Sequence, residues 1–260
     1  RRCSSGVMPG CGNGPPGGVR GGGCAENGAG AALSILVQLP LGLGVALLLN
    51  RRSPGRGLLR VVVFVPYVLA EVVAGVIWLM LLQPEGVADA TLRALGLGDL
   101  GELWLRDPAV ALGTVFFVLT WKYLGQAIIL VLDGLQAIPK DLYEAAQIDG
   151  ASWWQIQRRI AIPLLGPTMR TWAFLSIIGS LQVFDMVWIL TRGGPVNSTM
   201  TMAIYMITQG SKRTLYGYAS AVAVILFLIS LAVASLYQVF ILRRDNLTDP
   251  PRRSRKGVSG

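Results

Sequence analysis

Five long, almost uncharged apolar stretches dictate what this chain can fold into: residues 31–49, 61–82, 109–132, 171–190 and 217–241. A hydrocarbon layer about 30 Å thick takes about 20 apolar residues in helical form to cross it. Each stretch approaches or exceeds that length. The first and last contain no charged residue; the second contains only Glu71, the third only Lys122 and the fourth only Asp185. Charged residues make up 14% of the chain, well below the roughly 25% that a soluble domain uses to cover its core. A soluble helical bundle would have to bury helices this long and this uncharged five times over. The expected fold is therefore all-α and polytopic, with five transmembrane helices.

The formal net charge of +9 raises the question of nucleic acid, but the basic residues stand beside the ends of the apolar stretches, where membrane topology accounts for them. One set of connections carries Arg51, Arg52, Arg56, Arg60, Lys140, Arg158, Arg159, Arg170, Arg243, Arg244, Arg252, Arg253, Arg255 and Lys256; the other carries Arg93, Arg106, Arg192, Lys212 and Arg213. Fourteen against five puts the first set in the cytoplasm, with the basic tail 246–260 inside and residues 1–30 outside. Cys3, Cys11 and Cys24 match no zinc spacing and the chain has no histidine, so neither a metal site nor a structural disulfide is expected. Residues 1–30 are rich in Gly and Pro, without an apolar run or a helical period, and are expected to be disordered. They begin with Arg, as a truncated or misread upstream region would.

The connection from 138 to 165 has the local signals of two short helices. Pro139 suits a first helical turn, and Asp141 and Glu144 then lie near the positive end of the helix dipole. Gly150 can take the left-handed conformation that ends the helix. Ser152 followed by Gln155 forms a capping box for the next one. There Trp153, Ile156 and Ile160 fall on one face, and Pro163 stops it. Small Ala145 and Ala146 would admit a partner closely. These rules leave two readings open: an arm that a partner grips, or an amphipathic connector lying on lipid headgroups.

The run Glu144-Ala145-Ala146, then Asp149-Gly150-Ala151, with Ile160, Pro163 and Leu164 beyond, resembles the EAA loop of binding-protein-dependent ABC transporter permeases. Thr191-Arg192-Gly193-Gly194-Pro195 followed by Thr199 resembles an external turn of their sugar class, the maltose and glycerol-phosphate permeases. Leu105-Arg106-Asp107-Pro108 resembles the start of one of that class's spans, and the likeness extends over about residues 33–243. It implies the type I importer permease fold over 31–245, and a role in bringing a carbohydrate or related solute across the bacterial cytoplasmic membrane. It further implies that Glu144, Ala145, Ala146, Asp149, Gly150 and Ala151 couple the chain to a dimer of ATPase subunits. A second permease subunit and an extracytoplasmic solute-binding protein complete the assembly. Members of the class have six or more spans, so their first helix is expected to be missing, with residues 1–30 in its place. The chain has no G-x-x-x-x-G-K-[ST] phosphate loop, so ATP and its magnesium are expected on the partner ATPases.

Polar groups inside spans are costly and face a cavity or another helix. Glu71, Lys122 with Gln126 one turn away, and Gln182 with Asp185 at i, i+3 are the candidates for the solute path. For each of them the alternative is an interhelical hydrogen bond. Trp121 and Tyr123 offer rings that could stack on a sugar. Two other function classes compete. A secondary transporter or channel would be uncoupled from any ATPase, though such proteins show repeats not visible in this sequence. A membrane enzyme would need catalytic groups of which the chain has no usual set.

Overall fold

The computed structural model describes residues 22–50, 56–84, 86–94, 96 and 104–239, and everything regular among them is helical. Helix α1 runs through Gly22–Leu33, a π-helical turn at Ser34–Gln38, and Leu39–Asn50 without interruption. Then follow α2 (Arg56–Val68), α3 (Glu71–Leu81), the short α4 (Val87–Ala94) and α5 (Pro108–Ala137). The arm consists of α6 (Lys140–Ile148) and α7, which joins Trp153–Ile156, a π turn at Gln157–Ala161 and Ile162–Leu164. Last come α8 (Gly166–Gln182), α9 (Asp185–Leu190), α10 (Met202–Ile207, running into a π turn at Thr208–Lys212) and α11 (Tyr216–Tyr237). Three stretches, Asn27–Asn50, Val110–Ala137 and Tyr216–Tyr237, are long and apolar enough to cross a membrane, and up to five if each of two bent helix pairs counts as one span.

At 30 residues, α5 is about 45 Å long at 1.5 Å per residue, and the other helices are arranged along it. Toward its C-terminal end, Ile128, Val131, Leu132 and Leu135 pack with Ala46, Leu47 and Leu49 of α1, Ala161 of α7 and Leu165. Toward its N-terminal end, Val115 and Val118 pack with Ala74 of α3, Met186, Val187 and Leu190 of α9, and Ile204 of α10. Outward-facing surfaces are apolar too, with Val61, Val62, Val65, Phe227, Leu228 and Leu231 exposed, as lipid-facing or subunit-facing spans require.

Several expectations need correction. Helix α1 begins at Gly22, so the end of the stretch expected to be disordered, 22–30, is helical; residues 1–21, like 240–260, lie outside the described residues. Contact of α1 with α8 supplies what the local composition lacks, as tertiary packing does for most helices. The stretch 61–82 is not one rod: α2 and α3 meet at 99°. Its carbonyls at Pro66, Tyr67 and Leu69 accept from the Lys122 ammonium instead of continuing the helix. The stretch 171–190 is likewise interrupted. Helix α8 ends at Gln182, Val183 and Phe184 leave helical geometry, and α9 starts afresh at Asp185. The freed Val183 carbonyl accepts from Thr201 Oγ1 at 3.2 Å. Pro163 does not stop its helix, which continues to Leu164 before a 60° bend into α8.

Candidate functional site

Two regions hold the candidate residues: the arm between α5 and α8, and a cavity bounded by α1, α5 and α8.

In the arm, Pro139 takes the N-cap position with extended ψ, and α6 starts at Lys140. Its far end closes on itself. Gly150 has φ +76°, the Gly150 N–H donates to the Gln147 carbonyl at 3.0 Å, and the Ala151 N–H donates to the Ala146 carbonyl at 3.0 Å. This is a Schellman motif, with the left-handed residue just beyond the cap. The next helix opens on the expected capping box: Gln155 N–H donates to Ser152 Oγ, and Ser152 N–H donates to Gln155 Oε1 at 2.7 Å. Both inner ends of the arm are thus satisfied by its own atoms, which leaves its surface free.

That surface is apolar. Ile148 is 86% exposed and Trp154 72%, and Leu142 and Trp153 are also exposed. Glu144, Ala145, Asp149 and Gly150 face outward among them and Ala151 is half-buried, while Ala146 is buried beneath. The two alanines expected to admit a partner together therefore divide, one outward and one inward. Trp153 departs from the expected face as well. Ile156, Gln157 and Ala161 are the buried positions of α7, because the π turn at Gln157–Ala161 adds a residue and rotates the periodicity. Under the arm, Tyr143 packs on the apolar core, and burial pushes its phenol above the ordinary range.

The cavity is about 160 Å³ and takes polar side chains from three helices: Asn27, Ser34 and Gln38 from α1, Tyr123 and Gln126 from α5, Ser176 and Ser180 from α8. Most other lining residues are apolar, Leu33, Phe116, Leu119 and Trp172 among them, and no Asp, Glu, Lys or Arg lines it. A hydrogen-bonded chain crosses its wall. Ser176 Oγ donates to Ser34 Oγ at 2.6 Å, Ser34 Oγ to Gln38 Oε1 at 2.8 Å, and Gln38 Nε2 to Thr120 Oγ1 at 3.3 Å. The π turn carries both Ser34 and Gln38, at its two ends.

Of the residues expected on the solute path, Gln126 lines this cavity. Glu71, at the first turn of α3, accepts from the hydroxyl of Tyr123, whose ring lines the cavity. Lys122 is 2% exposed and spends its ammonium on three main-chain carbonyls at the α2–α3 bend, so it takes the alternative role of helix-to-helix donor. Gln182 and Asp185 are exposed and lie outside the cavity wall. Trp121 stands edge-on to Trp78 at 5.4 Å. Asn27, Ser34, Gln38, Ser176 and Ser180 were not anticipated. The i, i+4 spacing of Ser34 with Gln38 and of Ser176 with Ser180, inside otherwise apolar helices, is the signal that could have found them.

The turn after α9 gives the repeated threonines a purpose. Thr199 Oγ1 donates to the Gly194 carbonyl at 2.8 Å and lies 2.6 Å from Thr191 Oγ1, while the Gly193 N–H donates to Thr191 Oγ1 at 3.3 Å. Thr199 also lines the cavity.

Residues 38–246, which contain the arm, α8 and most of the cavity wall, match the family model described as "Binding-protein-dependent transport system inner membrane component". The chain belongs to that family. This permease is 35% identical over 215 residues to the trehalose/maltose transport system permease of Thermococcus litoralis, a match covering 82% of this chain and 72% of that protein. It is 34% identical over 218 residues to the lactose transport system permease of Rhizobium radiobacter, covering 80% and 72% respectively. Its fold matches a chain of a bacterial ABC transporter that imports the acidic polysaccharide alginate, with TM-score 0.72, 25% identity, and coverage of 84% of the permease and 79% of that chain. The permease is thus a multi-pass membrane protein and a subunit of an ABC importer.

Proposed function

We propose that this permease moves a carbohydrate or related solute inward across the bacterial cytoplasmic membrane, driven by ATP hydrolysis on two partner ATPase subunits. The observation that carries the reading is the continuity between arm and cavity. The arm's second helix, α7, passes through the buried Leu165 directly into α8, and α8 supplies Ser176, Gly179 and Ser180 to the cavity wall. A push on the arm is therefore a push on the solute's surroundings. The exposed apolar patch of Leu142, Ile148, Trp153 and Trp154 around Glu144, Ala145, Asp149, Gly150 and Ala151 is the surface on which an ATPase would close. Such a patch is costly to leave in water and fits a protein partner. ATP and magnesium act on those partners, and their closure tilts the spans between inward-facing and outward-facing arrangements. A second permease subunit completes the pathway, and an extracytoplasmic binding protein hands over the solute. The sugar-transporting relatives support the solute class, as does a cavity with paired hydroxyl and amide groups among apolar walls.

Gly150 is the test. A side chain there meets nothing within 4 Å, so steric clash inside the permease is not the issue. The cost is the left-handed backbone, about 1–2 kcal/mol for a residue with a Cβ and less for Asn. Gly150→Trp is expected to reduce ATPase co-purification and solute uptake at least about tenfold, through strain and a bulky group on the contact surface. Gly150→Asn is expected to stay within about twofold of the parent. ATPase binding and uptake that are unchanged in Gly150→Trp would remove the arm from the coupling path.

A further inference from the structure

We infer that Asn27 is a solute-recognising residue of the cavity, its carboxamide pairing with two neighbouring hydroxyls of an uncharged sugar ring. This rests on the reading of the cavity as the solute path and adds both the residue and the charge class. Asn27 is 3% exposed, yet neither Nδ2 nor Oδ1 has a hydrogen-bond partner. Buried polar groups in proteins are almost always partnered, so an orphaned amide lining a cavity marks a place where the partner arrives from outside the chain. A carboxamide presents an acceptor and two donors in one plane, which matches a pair of adjacent hydroxyls, each able to donate and accept.

The surroundings favour that partner. Gly30, one turn along α1, also lines the cavity and has nothing within 4 Å of where a Cβ would stand, so there is open space beside the amide. Ser34, Gln38 and Ser176 are already committed to one another, which leaves Asn27 with unspent capacity. The absence of any charged lining residue decides the class of solute. A carboxylate entering here would be desolvated without a cation to meet it, a prohibitive arrangement. A neutral ring loses only hydrogen bonds to water, which Asn27 and Gln126 replace, and its C–H faces suit Phe116 and Trp172. Asn27 also lies outside residues 38–246, the part matched by the family model, as suits a residue that distinguishes one permease's solute from another's.

The experiment uses the complete importer reconstituted in liposomes with its binding protein and ATPases. It measures uptake of radiolabelled maltose, trehalose, lactose and an unsaturated alginate disaccharide together with ATP hydrolysis. Uptake of at least one neutral sugar and none of the acidic one is expected. Asn27→Leu is expected to lower the neutral sugar moved per ATP about tenfold, with ATP hydrolysis within twofold of the parent, and Asn27→Ser to fall between. Damage to folding would lower uptake and hydrolysis together, so the ratio separates recognition from structure; where Asn27→Leu does not assemble, Asn27→Ala carries the measurement. An unchanged ratio, the result if the amide holds only water, overturns the inference, as does uptake of the acidic sugar alone or of no sugar in the panel. Gln126→Leu and Ser180→Leu are the controls for the underlying reading. If they alter the ratio and Asn27→Leu does not, Asn27 alone is misassigned; if none of the three does, the cavity is not the solute path.

Discussion

Lys122→Met is expected to leave little well-assembled permease in the membrane. Methionine fills nearly the same volume, so the substitution isolates the ammonium. That ammonium is 2% exposed and donates to the carbonyls of Pro66 and Tyr67 at 3.0 Å each, and to that of Leu69. These carbonyls are released where α2 ends against α3 at 99°. They form the negative end of a helix dipole, where a cation is favoured. Without the lysine, three acceptors remain in a dry interior, at about 1–3 kcal/mol each. The sum is a large part of the 5–15 kcal/mol that holds a typical domain together. A fall of about 10 °C in the melting midpoint of the detergent-solubilised protein is expected, with a matching loss of monodisperse material. Lys140→Met, on the exposed first turn of α6, is the control and should change neither. A midpoint within 2 °C of the parent for Lys122→Met would mean that the bend is held by something else.

The second large effect is expected at Gly134, where α5 crosses the start of α8. A Cβ there would lie 2.6 Å from Thr168 Oγ1, 2.8 Å from Leu165 Cδ2 and 3.2 Å from Thr168 Cβ. Leu165 can give way at its tip; Thr168 is held on the helix itself. Gly134→Val therefore wedges the two helices apart, at about 1–3 kcal/mol for an overpacked site. The position matters more than the energy. Leu165 is the corner at which the arm becomes a span, 1% exposed in the core. Displacing it breaks the path from arm to cavity. The expected result is a drop in uptake of more than about tenfold, with a smaller fall in melting midpoint than for Lys122→Met. Adding Thr168→Ala should recover part of the loss, a non-additivity expected of residues in contact. Equal uptake by Gly134→Val and parent would show that this crossing transmits nothing.

What could be read from the residues was what depends on near neighbours in the chain. The apolar stretches, the left-handed Gly150 and the reciprocal cap between Ser152 and Gln155 are decided within a few residues, and they were legible. The breaks at Leu69–Ala70 and Val183–Phe184 were not. The first is held by Lys122, more than fifty residues away, and the second by Thr201, eighteen residues on. Pro66 hinted at the first, while nothing local marked the second. The candidate site divides in the same way. Gln126 was found because a polar group in a span needs a reason, but the same rule pointed equally to Lys122, whose reason is a neighbouring backbone. Asn27 escaped because its glycine-rich surroundings carry no helical period, and only packing against α8 makes them a helix.

The π turn at Gln157–Ala161 also fixes a compass bearing. One surplus residue swings everything beyond it by about 100° around the axis, so the paired indoles of Trp153 and Trp154, 4.8 Å apart and edge to face, point where they do because of that single insertion. A lineage gaining or losing one residue at this spot would re-aim the indoles by more than a quarter turn while α8 stayed seated. The docking face can thus be retuned to a different motor without disturbing the wall that meets the cargo.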